Sequence, residues 1–126
     1  MTHTNENSIH TTHLKEWIDA YIHAWTTNDS DDIARLFSAT AEYHETPYET
    51  AWIGRESIVA GWRSRWEWQS GGWTFEWTIV SASPGHAVVT GVGHYRELGD
   101  FDNVWTLEFD DDGLCRRFHM RNEQIA

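Results

Sequence analysis

Apolar positions in the first third of the chain recur at helical spacing. Leu14, Trp17, Ile18, Tyr21 and Trp25 fall on one stripe, which predicts an amphipathic helix from about Thr12 to Thr27. Asn28-Asp29 breaks the pattern. Ser30 then stands where it can cap a second helix, with Asp31 and Asp32 in the first turn, where the helix dipole favours negative charge. Ile33, Leu36 and Phe37 make that helix's apolar face. A short strand around 41–45 places Tyr43 and Glu45 on one side and Glu42 and His44 on the other, because side chains alternate along a strand. An irregular loop through Pro47 to Ile53 follows. Gly54 opens a third helix, roughly residues 55–66, with Ile58, Val59, Trp62 and Trp66 at helical spacing, and Gly71-Gly72 ends it.

Beyond Gly72 the period changes to two. Trp73, Phe75, Trp77 and Ile79 alternate with Thr74, Glu76 and Thr78. Pro84-Gly85 turns the chain into a second long strand, 86–97, and Leu98-Gly99-Asp100 turns it again. In the next strand, 103–110, Asn103, Trp105, Leu107 and Phe109 share a face. Asp111-Asp112-Gly113 is a strong hairpin turn before the last strand, 114–122. Three helices followed by antiparallel strands specify an α+β fold. Residues 1–10 are polar and without pattern, which predicts a disordered tail, so the expected domain is 11–126.

Composition narrows the possible functions. With 126 residues the chain suits one domain with one core. Twenty acidic residues against nine basic give a formal charge of −11, which repels phosphate backbones and argues against nucleic acid and anionic membrane surfaces. No apolar run is long enough to span a bilayer, and the polar N-terminus has no signal-peptide core. A single cysteine, Cys115, rules out an intrachain disulfide and agrees with a cytoplasmic location. Nine tryptophans form either an unusually aromatic core or the walls of a pocket for an apolar or planar molecule; several rings can do the first while others do the second. The wall candidates are Trp17, Trp25, Tyr43, Trp52 and Trp62.

The Tyr21–Glu45 stretch, the helix opening Gly54-Arg55-Glu56-Ser57-Ile58, and the run Trp105–Gly113 with its following strand occur in an order that resembles the nuclear-transport-factor-2-like superfamily. That superfamily includes the ketosteroid isomerases and the polyketide-cyclase-like (SnoaL-like) proteins. The resemblance covers nearly all of the chain beyond the tail. It implies a cystatin-like cone, in which a curved antiparallel sheet wraps around three N-terminal helices over a deep apolar pocket, and it implies a homodimer.

Residue by residue, the resemblance to the ketosteroid isomerases is partial. Tyr21 falls where those enzymes place an oxyanion-stabilising tyrosine. Glu45 falls at their proton-shuttling aspartate, one methylene longer. Trp105 stands at the position of their protonated aspartate, and an indole donates one hydrogen bond without replacing an acid. Phe118, Met120 and Asn122 of the last strand are then expected in the pocket. These correspondences imply Glu45 as base or acid and Tyr21 as oxygen donor, with aromatic rings excluding water. Each residue also has a simpler reading: Tyr21 as a core phenol, Glu45 as a rim carboxylate solvated or paired with an arginine.

His94 is a further candidate for the pocket if its face of strand 86–97 is the concave one. No metal or cofactor is expected. The histidines near the start lack a compact ligand grouping, Asp110–Gly113 lacks calcium-loop spacing, and no phosphate loop, nucleophile elbow or dinucleotide fingerprint occurs. Two classes stay open: a cofactor-free enzyme acting by proton transfer, dehydration or hydrolysis on a small apolar molecule, and a ligand-binding or protein-association domain without chemistry.

Overall fold

In the computed structural model, residues 2–47, 49–65, 72–96 and 98–125 are described, with side chains from Thr12 onward. Helix α1 (Thr2–Thr27) begins near the terminus rather than at about Thr12. Once an amphipathic segment has nucleated a helix, each added residue gains one backbone hydrogen bond, so helix extends past the apolar stripe. The stripe itself is buried as its spacing predicts: Leu14, Ile18, Tyr21 and Ala24 are almost wholly covered.

Asn28 takes a left-handed conformation (φ 53°) that ends α1, and its N–H donates to the Ala24 carbonyl at 2.8 Å. Asp29, not Ser30, caps α2 (Ser30–Ala34): one carboxylate oxygen accepts from the Asp31 and Asp32 N–H groups at 3.0 and 3.1 Å. Helix α2 is only one turn longer than its cap, and the chain is already extended at Phe37.

Strand β1 (Phe37–Thr46) is therefore longer than expected, and β2 (Thr50–Ile53) forms within the predicted loop. Helix α3 (Arg55–Ser64) follows; Trp66 and the Gly71 stop lie outside the described residues. Strands β3 (Trp73–Ser83), β4 (His86–Tyr95), β5 (Gly99–Phe109) and β6 (Cys115–Ile125) complete a six-stranded sheet in the order β2-β1-β6-β5-β4-β3. All neighbours are antiparallel except β1 and β6, so the sheet is mixed. A parallel pair needs a long crossover, here everything between β1 and β6, and strand patterning alone does not reveal it. The result is an α+β single domain with its helices on one face of the sheet. Among the described residues no helix is long and apolar enough to cross a membrane.

Register aligns the concave face into rows. Trp52, Tyr43, Phe118 and Leu107 lie side by side on β2, β1, β6 and β5. The next row is Thr50, Glu45, Met120 and Trp105, and beyond it Asn122 faces Asn103. The first row continues the apolar core. The second and third are where polar groups enter it.

Two close approaches shape this face. A Cβ on Gly61 of α3 would overlap the Trp52 ring, and one on Gly91 of β4 would overlap the Phe75 ring. Glycine at these points lets Trp52 pack on α3 and Phe75 cross β4 to stack on Trp105, with centroids 5.1 Å apart and planes at 7°.

Candidate functional site

A cavity of ≈ 120 Å³ opens between α1, α3 and the concave rows of the sheet. Its deep wall is Tyr21, Tyr43 and Trp62. Tyr21 projects from the buried stripe of α1 and Tyr43 from the inward side of β1, and their hydroxyls stand 3.5 Å apart. Tyr43 is stacked between Phe118 (4.8 Å, 6°) and Trp52 (4.9 Å, 20°). Tyr21 packs against Trp105 at 4.6 Å and Trp62 at 4.7 Å.

Burial pushes both phenols well above their ordinary pKa, because the anion would lose its hydration; the neighbouring Glu45 charge adds in the same direction. Both therefore remain protonated donors. Two hydroxyl hydrogens serve this pair and their mutual contact uses one, leaving the other for an acceptor in the cavity. The buried Trp62 Nε1 likewise has no acceptor among the described residues.

Among the described residues Glu45 supplies the one carboxylate on this wall, and it is only 6 % exposed. Arg65, the C-cap residue of α3, donates to it through Nη1. Arg65 Nη2 also donates to Thr50 Oγ1 at 2.8 Å, and its guanidinium lies 4.5 Å from the centre of the Trp52 ring. A carboxylate this buried would be strongly unfavourable without a partner, and the planar guanidinium engages carboxylate, hydroxyl and ring at once. Across the cavity, Asn103 Nδ2 donates to Asn122 Oδ1 at 2.8 Å while Asn103 Oδ1 accepts from Trp105 Nε1 at 3.3 Å. Trp25, Tyr95 and Phe101 line the outer part.

Of the residues singled out from sequence, Tyr21, Glu45, Trp25, Tyr43, Trp52, Trp62, Met120 and Asn122 are brought together on this cavity. Four are not. Trp17 is a core residue whose indole donates to the Leu36 carbonyl at 3.0 Å. Trp105 and Phe118 are fully buried one layer behind the wall, where they support Tyr21 and Tyr43. His94 lies on the opposite face of β4, exposed and bonded through Nδ1 to Asp100 at 2.9 Å, while its neighbour Tyr95 reaches the cavity. Sequence reasoning missed Arg65, Asn103 and Tyr95 as cavity residues. Arg65 was detectable: with Ile58 and Trp62 it completes an i, i+4, i+7 stripe, so an arginine continues the buried face of α3.

Among the described residues no three His, Cys, Asp or Glu side chains are grouped to hold a metal. The Cys115 thiol is fully buried, and burial pushes its pKa up, so it is not a nucleophile.

Comparison with known proteins agrees with this architecture. A protein with a cystatin-like fold from Methylobium petroleophilum superimposes with a TM-score of 0.73 at 19% identity, covering 91% of this chain and 78% of that one. A nuclear-transport-factor-2-like protein from Burkholderia xenovorans gives 0.73 at 15% identity, covering 94% and 88%. A ketosteroid-isomerase-like fold from Catenulispora acidiphila, in complex with trimethylamine, gives 0.64 at 21% identity, covering 83% of each chain. No curated protein matches the chain. The family model for the SnoaL-like domain matches residues 18–126. The match takes in α1 from Ile18 through the last strand, and the chain belongs to the SnoaL-like domain family.

Proposed function

We propose that this protein binds a small, largely apolar molecule in the aromatic cavity, with Tyr21 and Tyr43 donating to an oxygen of that molecule and Glu45 serving as proton acceptor or donor. The observation that carries the reading is the convergence of a hydroxyl pair and a buried carboxylate on a cavity whose walls are largely aromatic. Size restricts the ligand. An engineered apolar cavity of ~150 Å³ holds benzene, so a space of ≈ 120 Å³ suits a single ring or a short branched chain rather than a polycycle. Chemistry at such a site is cofactor-independent proton transfer beside a carbonyl, or dehydration. The neutral, buried phenols supply the hydrogen bonds that strengthen as charge develops on oxygen.

A second reading, binding without chemistry, is favoured by one specific contact: Arg65 already engages the Glu45 carboxylate. The two separate in one experiment. Small cyclic ketones are titrated against the wild type and Glu45→Gln by tryptophan fluorescence, and solvent-deuterium exchange into the ketone is followed by NMR. Binding retained in the variant with exchange lost by orders of magnitude supports catalysis. Binding without exchange in either protein supports a carrier or sensor. The reading also includes a homodimer, which sedimentation equilibrium tests.

A further inference from the structure

We infer that the polar end of the cavity is a seat for a compact organic cation, an alkylammonium or guanidinium group on a small apolar body, which Arg65 fills as a tethered substitute. The inference rests on the cavity being a ligand site and names the ligand's charge. The seat has two halves. One is the buried Glu45 carboxylate, a negative charge that needs a positive partner. The other is the Trp52 face, where a cation already stands 4.5 Å from the ring centre.

The seat is built rather than incidental. Gly61 lets Trp52 close onto α3, and Tyr43 stacks on the same ring at 4.9 Å, so the indole is fixed. Trp25, Trp62 and Tyr21 continue the electron-rich surface along the cavity. With Arg65 displaced, an anion at this end would meet the carboxylate and the negative ring faces, whereas a cation is attracted by each. The whole-chain charge of −11 draws cations and repels anions before contact.

The two partners differ in exposure. The Arg65 side chain is 22 % exposed and the Glu45 side chain 6 %. Arg65 is therefore the more accessible member of the pair, and on this inference it is the one a competing cation replaces. Arg65 is thereby an internal competitor. Removing it strengthens cation binding, the opposite of what an anion site anchored on Arg65 would do.

Three probes share one tert-butyl body: tert-butylammonium, tert-butanol and pivalate, compared at equal ionic strength by quenching of tryptophan fluorescence. The expected result is saturable binding of tert-butylammonium about tenfold tighter than tert-butanol, the scale of one cation–π or charge contact. Arg65→Met should tighten the cation by about tenfold or more, and Glu45→Gln should abolish the preference over tert-butanol. Circular dichroism confirms the fold of each variant. Should Arg65→Met not fold, Arg65→Lys keeps the charge but loses the planar fork, and should tighten binding by a smaller factor. Equal affinity for tert-butanol, with no effect of Arg65 substitution, overturns the inference while leaving the cavity reading intact. Preference for pivalate that is lost in either Arg65 variant overturns it in favour of an anion site. No saturable response from any probe overturns both.

Discussion

Strand β1 carries two acid–base pairs on opposite faces. Glu42 Oε1 and His44 Nε2 meet at 2.9 Å on the convex side, where both are reached by water. One residue further along, Glu45 meets Arg65 on the concave side, inside a shell of rings. The chemistry is similar and the surroundings are not. In water, pairing adds little because the separated charges are already well solvated. Without water, the partner decides whether the charge can exist there at all. The lesson is that burial, more than pairing, marks where this strand holds something of consequence.

The largest effect should come from breaking the concave pair. Arg65→Met strands a buried carboxylate and should cost about 3–5 kcal/mol in urea denaturation. Replacing both members, as in Glu45→Leu with Arg65→Met, should recover most of that loss, since an apolar pair of similar volume needs no compensation. A double variant no better than the single would mean that Thr50 and Trp52, not charge balance, carry the arginine's contribution.

Alkaline titration sharpens the same contrast. The folded pKa values of Tyr21 and Tyr43 are raised by burial, so the folded state holds protons that the unfolded state gives up first. Stability is therefore full below the ordinary phenol pKa and falls as pH rises beyond it, by about 1.4 kcal/mol per pH unit for each buried phenol. Tyr21→Phe and Tyr43→Phe should each flatten that slope. Denaturation curves between neutral and strongly alkaline pH check it.

A smaller effect is expected at Gly61. Alanine there forces Trp52 off α3 and should cost about 1–3 kcal/mol, the usual range for overpacking. It should also blunt ligand-induced quenching, since the displaced ring belongs to the cavity. The smallest change belongs to the convex pair. The His44 hydrogen bond holds the Glu42 carboxyl below its usual range. A depressed carboxylate contributes above its unfolded pKa and loses that contribution as pH falls through the folded value. Glu42→Gln should leave the denaturation midpoint at neutral pH unchanged within scatter, while an NMR pH titration places the Glu42 midpoint low.

Sequence carried the parity of β1 clearly, because a period of two leaves Tyr43 and Glu45 no choice but to share a face. It carried the α1 stripe for the same kind of reason. The concave side of β4 was not legible. Both faces of that strand offer apolar residues, Ala87 and Val89 on one and Val88 and Val92 on the other, so the pattern alone did not show that Tyr95 rather than His94 faces the cavity. Arg65 was obscured by its type. A helix-end arginine reads as solvent-facing unless its place on the Ile58–Trp62 stripe is weighed above its charge. The β1–β6 pairing rests on contacts far apart in sequence, and with it the row that sets Glu45 beside Met120.

The most direct test uses the nine tryptophans as separate reporters. Indole N–H resonances are assigned by substitution and followed by NMR during titration with tert-butylammonium and tert-butanol. The expected result is saturable shifts at Trp25, Trp52 and Trp62, which line the cavity, with smaller changes at Trp17, which packs behind Tyr21 and does not line it. Shifts concentrated at Trp17, or spread evenly over all nine, would contradict the assignment of this cavity as the ligand site.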